Sequence, residues 1–223
     1  RKEFLNADGT FQLDILNTMQ TPALFALKNG LIEGEAKAAM ITRLRQNFQE
    51  HDNCLQTGFL GTSILMETLT ENGMADIAYE LLFQRKNPSW LYSVDNGATT
   101  IWEHWNGIKE DGSFWSTDMN SFNHYAYGPV CDWLYGQVAG ITVCEDGAGY
   151  KKFTITPHPN KKLGFVNCSV ETPQGKIVSN WSYKDDVINY EFVIPKGCEA
   201  RLVLLGNKTH TLSEGEYLFS EKI

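Results

Sequence analysis

The sequence predicts two folds in series: part of an α/α toroid over residues 1–141, then an antiparallel β-sandwich over 142–223. Two observations carry this reading. Apolar residues recur at spacings of three and four before residue 141, and at alternate positions after it. The first part also places helix after helix with no strand between them, which argues against a doubly wound α/β fold. A length of 223 residues accommodates one large domain or two ordinary ones.

The elements follow in order. Thr21–Lys28 reads as a helix with Pro22 in its first turn and Thr21 as its cap. Glu35–Glu50 carries Met40, Ile41, Leu44 and Phe48 on one face. Phe59–Leu69 carries Leu60, Ile64, Leu65 and Leu69, and Met74–Phe83 carries Met74, Ile77, Ala78, Leu81 and Leu82. Asn72-Gly73 marks the stop between these two helices. A long helix is expected over Ser121–Gly140, through Tyr125, Val130, Trp133, Leu134 and Val138, with Pro129 kinking or delaying it. Between Arg85 and Asn120 there is little periodicity, and one helical turn is expected around Trp102. So long a connection inside a compact domain is more often functional than accidental. After residue 141, Phe153–Pro157, Gly164–Thr172, Lys176–Tyr183, Val187–Ile194 and Ala200–Leu205 read as short strands. Lys184-Asp185-Asp186 reads as a hairpin turn and Tyr217–Phe219 as a last strand. Trp133 and Trp181 fit a core, and Trp115 fits either a loop lid or a core plug.

Composition narrows the function. With 19 Lys+Arg against 27 Asp+Glu the net charge is −8, which repels phosphate backbones and anionic lipid. Nucleic acid and membrane surfaces are therefore poor partners, and a neutral small molecule suits the chain better. No apolar stretch approaches the roughly 20 residues of a membrane span. Cys54, Cys131, Cys144, Cys168 and Cys198 are widely spaced, so no structural zinc is expected. Their odd number leaves at least one thiol unpaired or bonded to another chain; buried free thiols are the expected reading.

The chemistry concentrates in Gly97-Ala98-Thr99-Thr100-Ile101-Trp102-Glu103-His104-Trp105. One carboxylate lies between two indoles, just after the Asn96-Gly97 turn. Flat rings stack on the apolar face of a pyranose, while a carboxylate in a partly dry wall handles water or a proton. The alternative is that Trp102 and Trp105 form one core stripe and Glu103 faces solvent. Trp90 and Tyr92, just upstream, fit an aromatic wall at a sugar subsite.

Four segments in this order and spacing resemble the C-terminal half of the catalytic domain of bacterial inverting α-L-rhamnosidases. They are Thr57–Thr62, Pro88–Tyr92, Gly97–Trp105 and Ser121–Gly128, the last reading Ser-Phe-Asn-His-Tyr-Ala-Tyr-Gly. Gly149–Pro159 and Thr172–Ile177 resemble the start of that family's C-terminal sandwich. The resemblance implies a six-hairpin α/α barrel followed by a β-sandwich, and hydrolysis of a terminal α-L-rhamnoside with inversion, without cofactor or metal. It implies Glu103 as general base and His124 as a residue contacting the sugar; Trp90, Trp102, Trp105 and Asn123 are candidate substrate contacts around them. A rhamnose-containing glycan or glycoside is the implied partner. The family's general acid lies upstream, in the first half of the barrel, and nothing here matches it. The resemblance thus implies that the chain is the C-terminal part of a longer enzyme whose N-terminal half is its other partner. The alternative gives the acid's role to Asp8 or Asp14.

Two other functions stay open at this stage. A catalytically silent carbohydrate-binding protein would keep the same aromatic pocket. Read without the resemblance, His124 is a helix-start residue that bonds a backbone carbonyl. A lyase or epimerase on the same toroid needs Tyr, His or Arg to remove a proton beside a carboxylate, and Gly97–Trp105 contains no Arg.

Overall fold

A computed structural model describes residues 4–223, which fall into two compact units. The first runs through Val130 and the second spans Cys131–Ile223.

The first unit is helical. Helix α1 (Gln20–Lys28) packs on α3 (Phe59–Glu71) and on α2 (Gly34–Glu50), and α3 packs on α4 (Ala75–Phe83). The faces marked by three- and four-residue spacing supply the core: Met40, Leu44 and Phe48 of α2, Leu65 and Leu69 of α3, and Ile77, Ala78 and Leu81 of α4 are buried. Asn72 ends α3, and Gly73 takes a φ of 72°, a conformation that costs glycine little. Pro22 lies in the first turn of α1, as expected, but the helix begins at Gln20 with no side-chain cap, so Thr21 is inside it. Leu60, expected on the buried face of α3, is 73% exposed. It sits on the outer side of the first turn, whose buried positions are Gly61 and Thr62.

Two expectations for the loops are corrected. No helical turn forms at Trp102; the short helix is α5 (Trp90–Asp95), one stretch upstream. Its start is fixed by Ser89, whose hydroxyl accepts a hydrogen bond from the Tyr92 N–H at 3.0 Å. The long helix over Ser121–Gly140 also does not form. Instead there is a 3₁₀ turn at Tyr125–Tyr127, a four-residue helix α6 (Val130–Trp133) and a π turn at Leu134–Val138. Pro129 has no N–H to give a helix. The backbone of Ser121–His124 is taken by another segment, described below.

The second unit is a β-sandwich of two four-stranded sheets. One has the order β1 (Ile141–Val143), β2 (Lys152–Ile155), β6 (Glu199–Leu204), β7 (Lys208–Leu212). The other has β3 (Phe165–Thr172), β4 (Gly175–Lys184), β5 (Val187–Ile194), β8 (Gly215–Lys222). All neighbours are antiparallel except β2 and β6, which run parallel. Alternation places Ile177 and Trp181 of β4 and Ile188, Tyr190 and Phe192 of β5 inside, with Phe153, Ile155, Ala200 and Leu202 from the other sheet. Trp181 lies opposite Tyr190, which lies opposite Phe219. The turn expected at Lys184-Asp185-Asp186 joins β4 to β5, with Asp185 at a φ of 54°. Ser179 and the Trp181 indole donate to the carbonyls of Ala139 and Val138 at 2.6 and 2.9 Å. Trp133 and Trp181 are both core residues. No two of the five cysteines are joined; Cys54 and Cys198 are buried and Cys131 is exposed.

Candidate active site

The site is built on two irregular segments held side by side. The Glu103 N–H donates to the Ser121 carbonyl at 2.9 Å, and the His124 N–H donates to the Ile101 carbonyl at 2.8 Å. The Thr100 hydroxyl adds a bond to the Phe122 carbonyl. This pairing fixes Glu103 and His124 in one frame although 20 residues separate them. It also satisfies backbone groups that a helix over Ser121–His124 would have used.

Glu103 is held at its head as well as its backbone. Its Oε2 accepts the Ser121 N–H at 2.9 Å, and its side chain is 15% exposed. That bond fixes the orientation of the carboxylate head and occupies one of its two oxygens, leaving Oε1 without a hydrogen bond from the Ser121 backbone. Burial and then the negative charge of Glu103 push the Tyr127 phenol above its ordinary value, so Glu103 acts electrically on that ring.

Tyr127 belongs to an aromatic wall. Its ring stacks on Trp105, with centroids 3.8 Å apart and 16° between planes. Trp90 meets Trp105 edge-on at 5.3 Å and donates its indole N–H to the Tyr127 carbonyl at 2.8 Å. Trp105 donates its own N–H to the Thr57 carbonyl at 3.2 Å. With the indole N–H groups of Trp90 and Trp105 satisfied inward, these rings present apolar surface to a cavity of about 270 Å³. Trp90, Trp102, Trp105 and Tyr127 line it, together with Ala98 to Ile101. Trp102 is set by an edge-on contact with Phe122 at 5.0 Å and by Gly107 beneath it. A Cβ at Gly107 would come within 3.1 Å of the Trp102 ring and 3.2 Å of Phe122, so the two rings would have to give way by a few tenths of an ångström to admit one.

Of the residues singled out in the sequence, Trp90, Trp102 and Trp105 line that cavity, whereas Glu103, Asn123 and His124 are not among its lining residues and belong to the paired segments Ile101–Glu103 and Ser121–His124. Asn123 is exposed, and its N–H donates to the Ser121 hydroxyl at 3.2 Å. His124 stacks on Phe59, with centroids 4.9 Å apart, and its Nδ1 accepts the Ala126 N–H at 3.3 Å. The backbone bond foreseen for His124 exists, but to an N–H rather than to a carbonyl. Asp8 is tied into its own turn by Thr10, whose hydroxyl donates to it at 2.7 Å and whose N–H donates at 2.9 Å. Those bonds hold its carboxyl below the usual range, which makes it a poor proton donor. Sequence reasoning missed Ser121 as the clamp on Glu103, Tyr127 in the wall, and Phe59 under His124. Backbone donors leave no residue-type signal, but Phe59 and Tyr127 stood within the quoted motifs. Among the described residues, no cluster of His, Cys, Asp and Glu is arranged to hold a metal ion. No helix among them is long and apolar enough to cross a membrane.

Helix packed on helix, with an aromatic wall and a clamped carboxylate carried on the irregular segments that follow, places the first unit in the α/α-toroid class. The chain belongs to the bacterial alpha-L-rhamnosidase family: that family's 6 hairpin glycosidase domain matches residues 1–138, and its C-terminal domain matches residues 140–219. An alpha-L-rhamnosidase of Formosa agariphila is 39% identical over 86% of this chain, and one of Alteromonas sp. is 38% identical over 91%. The chain spans 21% and 22% of the lengths of these two relatives. Among solved structures, the Streptomyces avermitilis alpha-L-rhamnosidase complexed with L-rhamnose superposes with a TM-score of 0.91 at 30% identity. It covers 99% of this chain, which covers 23% of it. The Aspergillus terreus alpha-L-rhamnosidase gives 0.91 at 29% identity, over 98% of this chain and 25% of that one.

Proposed function

We propose that this chain supplies the general-base side of an inverting α-L-rhamnosidase site, within a longer polypeptide whose upstream half of the barrel carries the general acid. Glu103 takes a proton from water. The water oxygen bonds to the anomeric carbon as the bond to the leaving oxygen breaks, and the acid gives that oxygen its proton. The two carboxyls of such a site stand about 6.5–9.5 Å apart, leaving room for the water. Trp90, Trp102 and Trp105 cover the apolar face of the sugar, and His124 and Asn123 address its hydroxyls. The substrate is a terminal α-L-rhamnosyl residue of a glycan or glycoside, and no metal or cofactor takes part.

The observation that supports this reading best is the clamp on Glu103. A carboxylate held by the Ser121 N–H at 2.9 Å, with 15% of its side chain exposed, is preorganised and shielded from competing solvent. The test uses the full-length polypeptide and an α-L-rhamnoside, with the anomeric protons followed by NMR. The product released first should have the opposite anomeric configuration. Glu103→Gln should lower turnover by roughly 10²–10⁴-fold, the usual worth of a general base, with rhamnose affinity nearly unchanged. Full activity in Glu103→Gln would refute the assignment. A second reading, a silent carbohydrate-binding protein, draws on the fact that the aromatic cavity is lined by indoles and not by Glu103. Rhamnose binding without turnover by the intact polypeptide would favour it.

A further inference from the structure

Beside Glu103 lies a second group that the mechanism above does not use. His104 stacks face to face on Trp115, with centroids 3.6 Å apart and 16° between planes. Its Nε2 is buried and has no hydrogen-bond partner, an arrangement that costs free energy unless something completes it. The nearest acidic oxygen is Glu103 Oε2, at 4.0 Å, the same oxygen that accepts the Ser121 N–H. The stack fixes the plane of the imidazole, and the N–H of Trp115 is anchored to the Gly107 carbonyl at 3.1 Å.

We propose that His104 is a positioning residue for Glu103: its Nε2–H closes on Oε2 when substrate fills the site, so that Oε1 alone is left to take the proton from water. This rests on the reading of Glu103 as the general base. The distance to be closed is about 1 Å, and catalytic hydrogen bonds are commonly long in the empty enzyme and tighten in the complex. Two donors on one oxygen fix both the torsion of the carboxylate and the identity of its free oxygen. The imidazole touches neither the sugar nor the water in this scheme. Trp115 becomes the support of that imidazole, which accounts for a large half-exposed indole in a loop.

The test compares two substitutions in the full-length polypeptide, judged by kcat and KM on an α-L-rhamnoside. Glutamine can place an amide N–H where Nε2 stands, whereas asparagine is too short to reach Oε2. His104→Asn should lower kcat by about tenfold with KM within twofold, since misplacing a reacting group by about 1 Å can cost up to roughly a hundredfold. His104→Gln should stay within about threefold of the parent enzyme. In a Glu103→Gln background, His104→Asn should have no further effect, because the group it positions is gone. Equal kcat in the two His104 variants, whether high or low, would overturn the proposal. So would an undiminished loss from His104→Asn in the Glu103→Gln background. The parent reading fails separately: an active Glu103→Gln enzyme removes it, and a silent His104 beside a dead Glu103→Gln leaves it standing.

Discussion

His124 is held so that its chemistry is decided before a ligand arrives. An amide N–H can only donate, so Nδ1, which accepts from Ala126, carries no proton, and the neutral ring keeps its proton on Nε2. Nε2 is then a donor suited to a sugar hydroxyl. Under the proposed function, His124→Ala in the full-length polypeptide should weaken rhamnose binding by about tenfold or less, the worth of one net hydrogen bond, and lower kcat/KM by at least as much. Titration calorimetry against rhamnose checks the first part. A different residue governs behaviour in alkali. Burial and then the buried Glu221 push the Tyr190 phenol far above its ordinary value, and its hydroxyl donates to Glu221 at 3.2 Å. The folded state holds this proton more tightly than the unfolded chain. Its contribution to stability is whole below about pH 10 and is lost as pH rises from there towards the folded-state value. Thermal midpoints of residues 131–223 should therefore fall above about pH 10, and Tyr190→Phe should flatten that fall while lowering the midpoint at neutral pH.

At the scale of elements, helix α3 is the centre of the first unit, since it packs on both α1 and α4. Leu69 is fully buried within it, and Leu69→Ala should cost about 2–5 kcal/mol, read from chemical denaturation. Gly107→Ala tests the loops instead. The added methyl would push on Trp102 and Phe122, costing about 1–3 kcal/mol and displacing one wall of the aromatic cavity, which tryptophan fluorescence reports. Helices α2, α3 and α4 were legible in the sequence because each buries a stripe against a neighbour, so the pattern and the packing coincide. The Ser121–Gly140 helix was misread because its competitor is non-local: Ile101 and Glu103 claim the backbone of Ser121 and His124. No window of local periodicity contains that information. Strand β7, Lys-Thr-His-Thr-Leu, escaped notice because it is a largely polar strand at a sheet edge, where alternation has little to bury. Glu103 was singled out by its flanking indoles. Its clamp was not, since a backbone N–H belongs to every residue type but proline.

For the molecule as a whole, the two units differ in self-sufficiency. The second encloses Trp181 and Ser179 with their carbonyl partners Val138 and Ala139, all inside residues 131–223. That segment alone should fold and melt cooperatively, as seen by calorimetry. Starting it at residue 142 instead removes both bonds and the buried Ile141, and should lower the midpoint by several degrees. The first unit leaves Leu13, Ile15 and Leu60 between 60% and 73% exposed. Under the proposed function an upstream half-barrel covers such side chains. Expressed alone, residues 1–130 should bind a hydrophobic dye and self-associate, and joined to the upstream half they should do neither. Monomeric behaviour without dye binding would count against a missing half.

The pairing of Ile101–Glu103 with Ser121–His124 has one more consequence, for how such a protein can change over generations. Its two sides are the base of a hairpin-like excursion, residues 104–120, whose ends are pinned at the same spot. Lengthening or trimming the excursion beyond His104 and Trp115 would leave the spacing between the carboxylate and the imidazole of His124 untouched. Descendants can then acquire new surface on this excursion, one insertion or deletion at a time, while inheriting an unaltered spacing between the two side chains at its base.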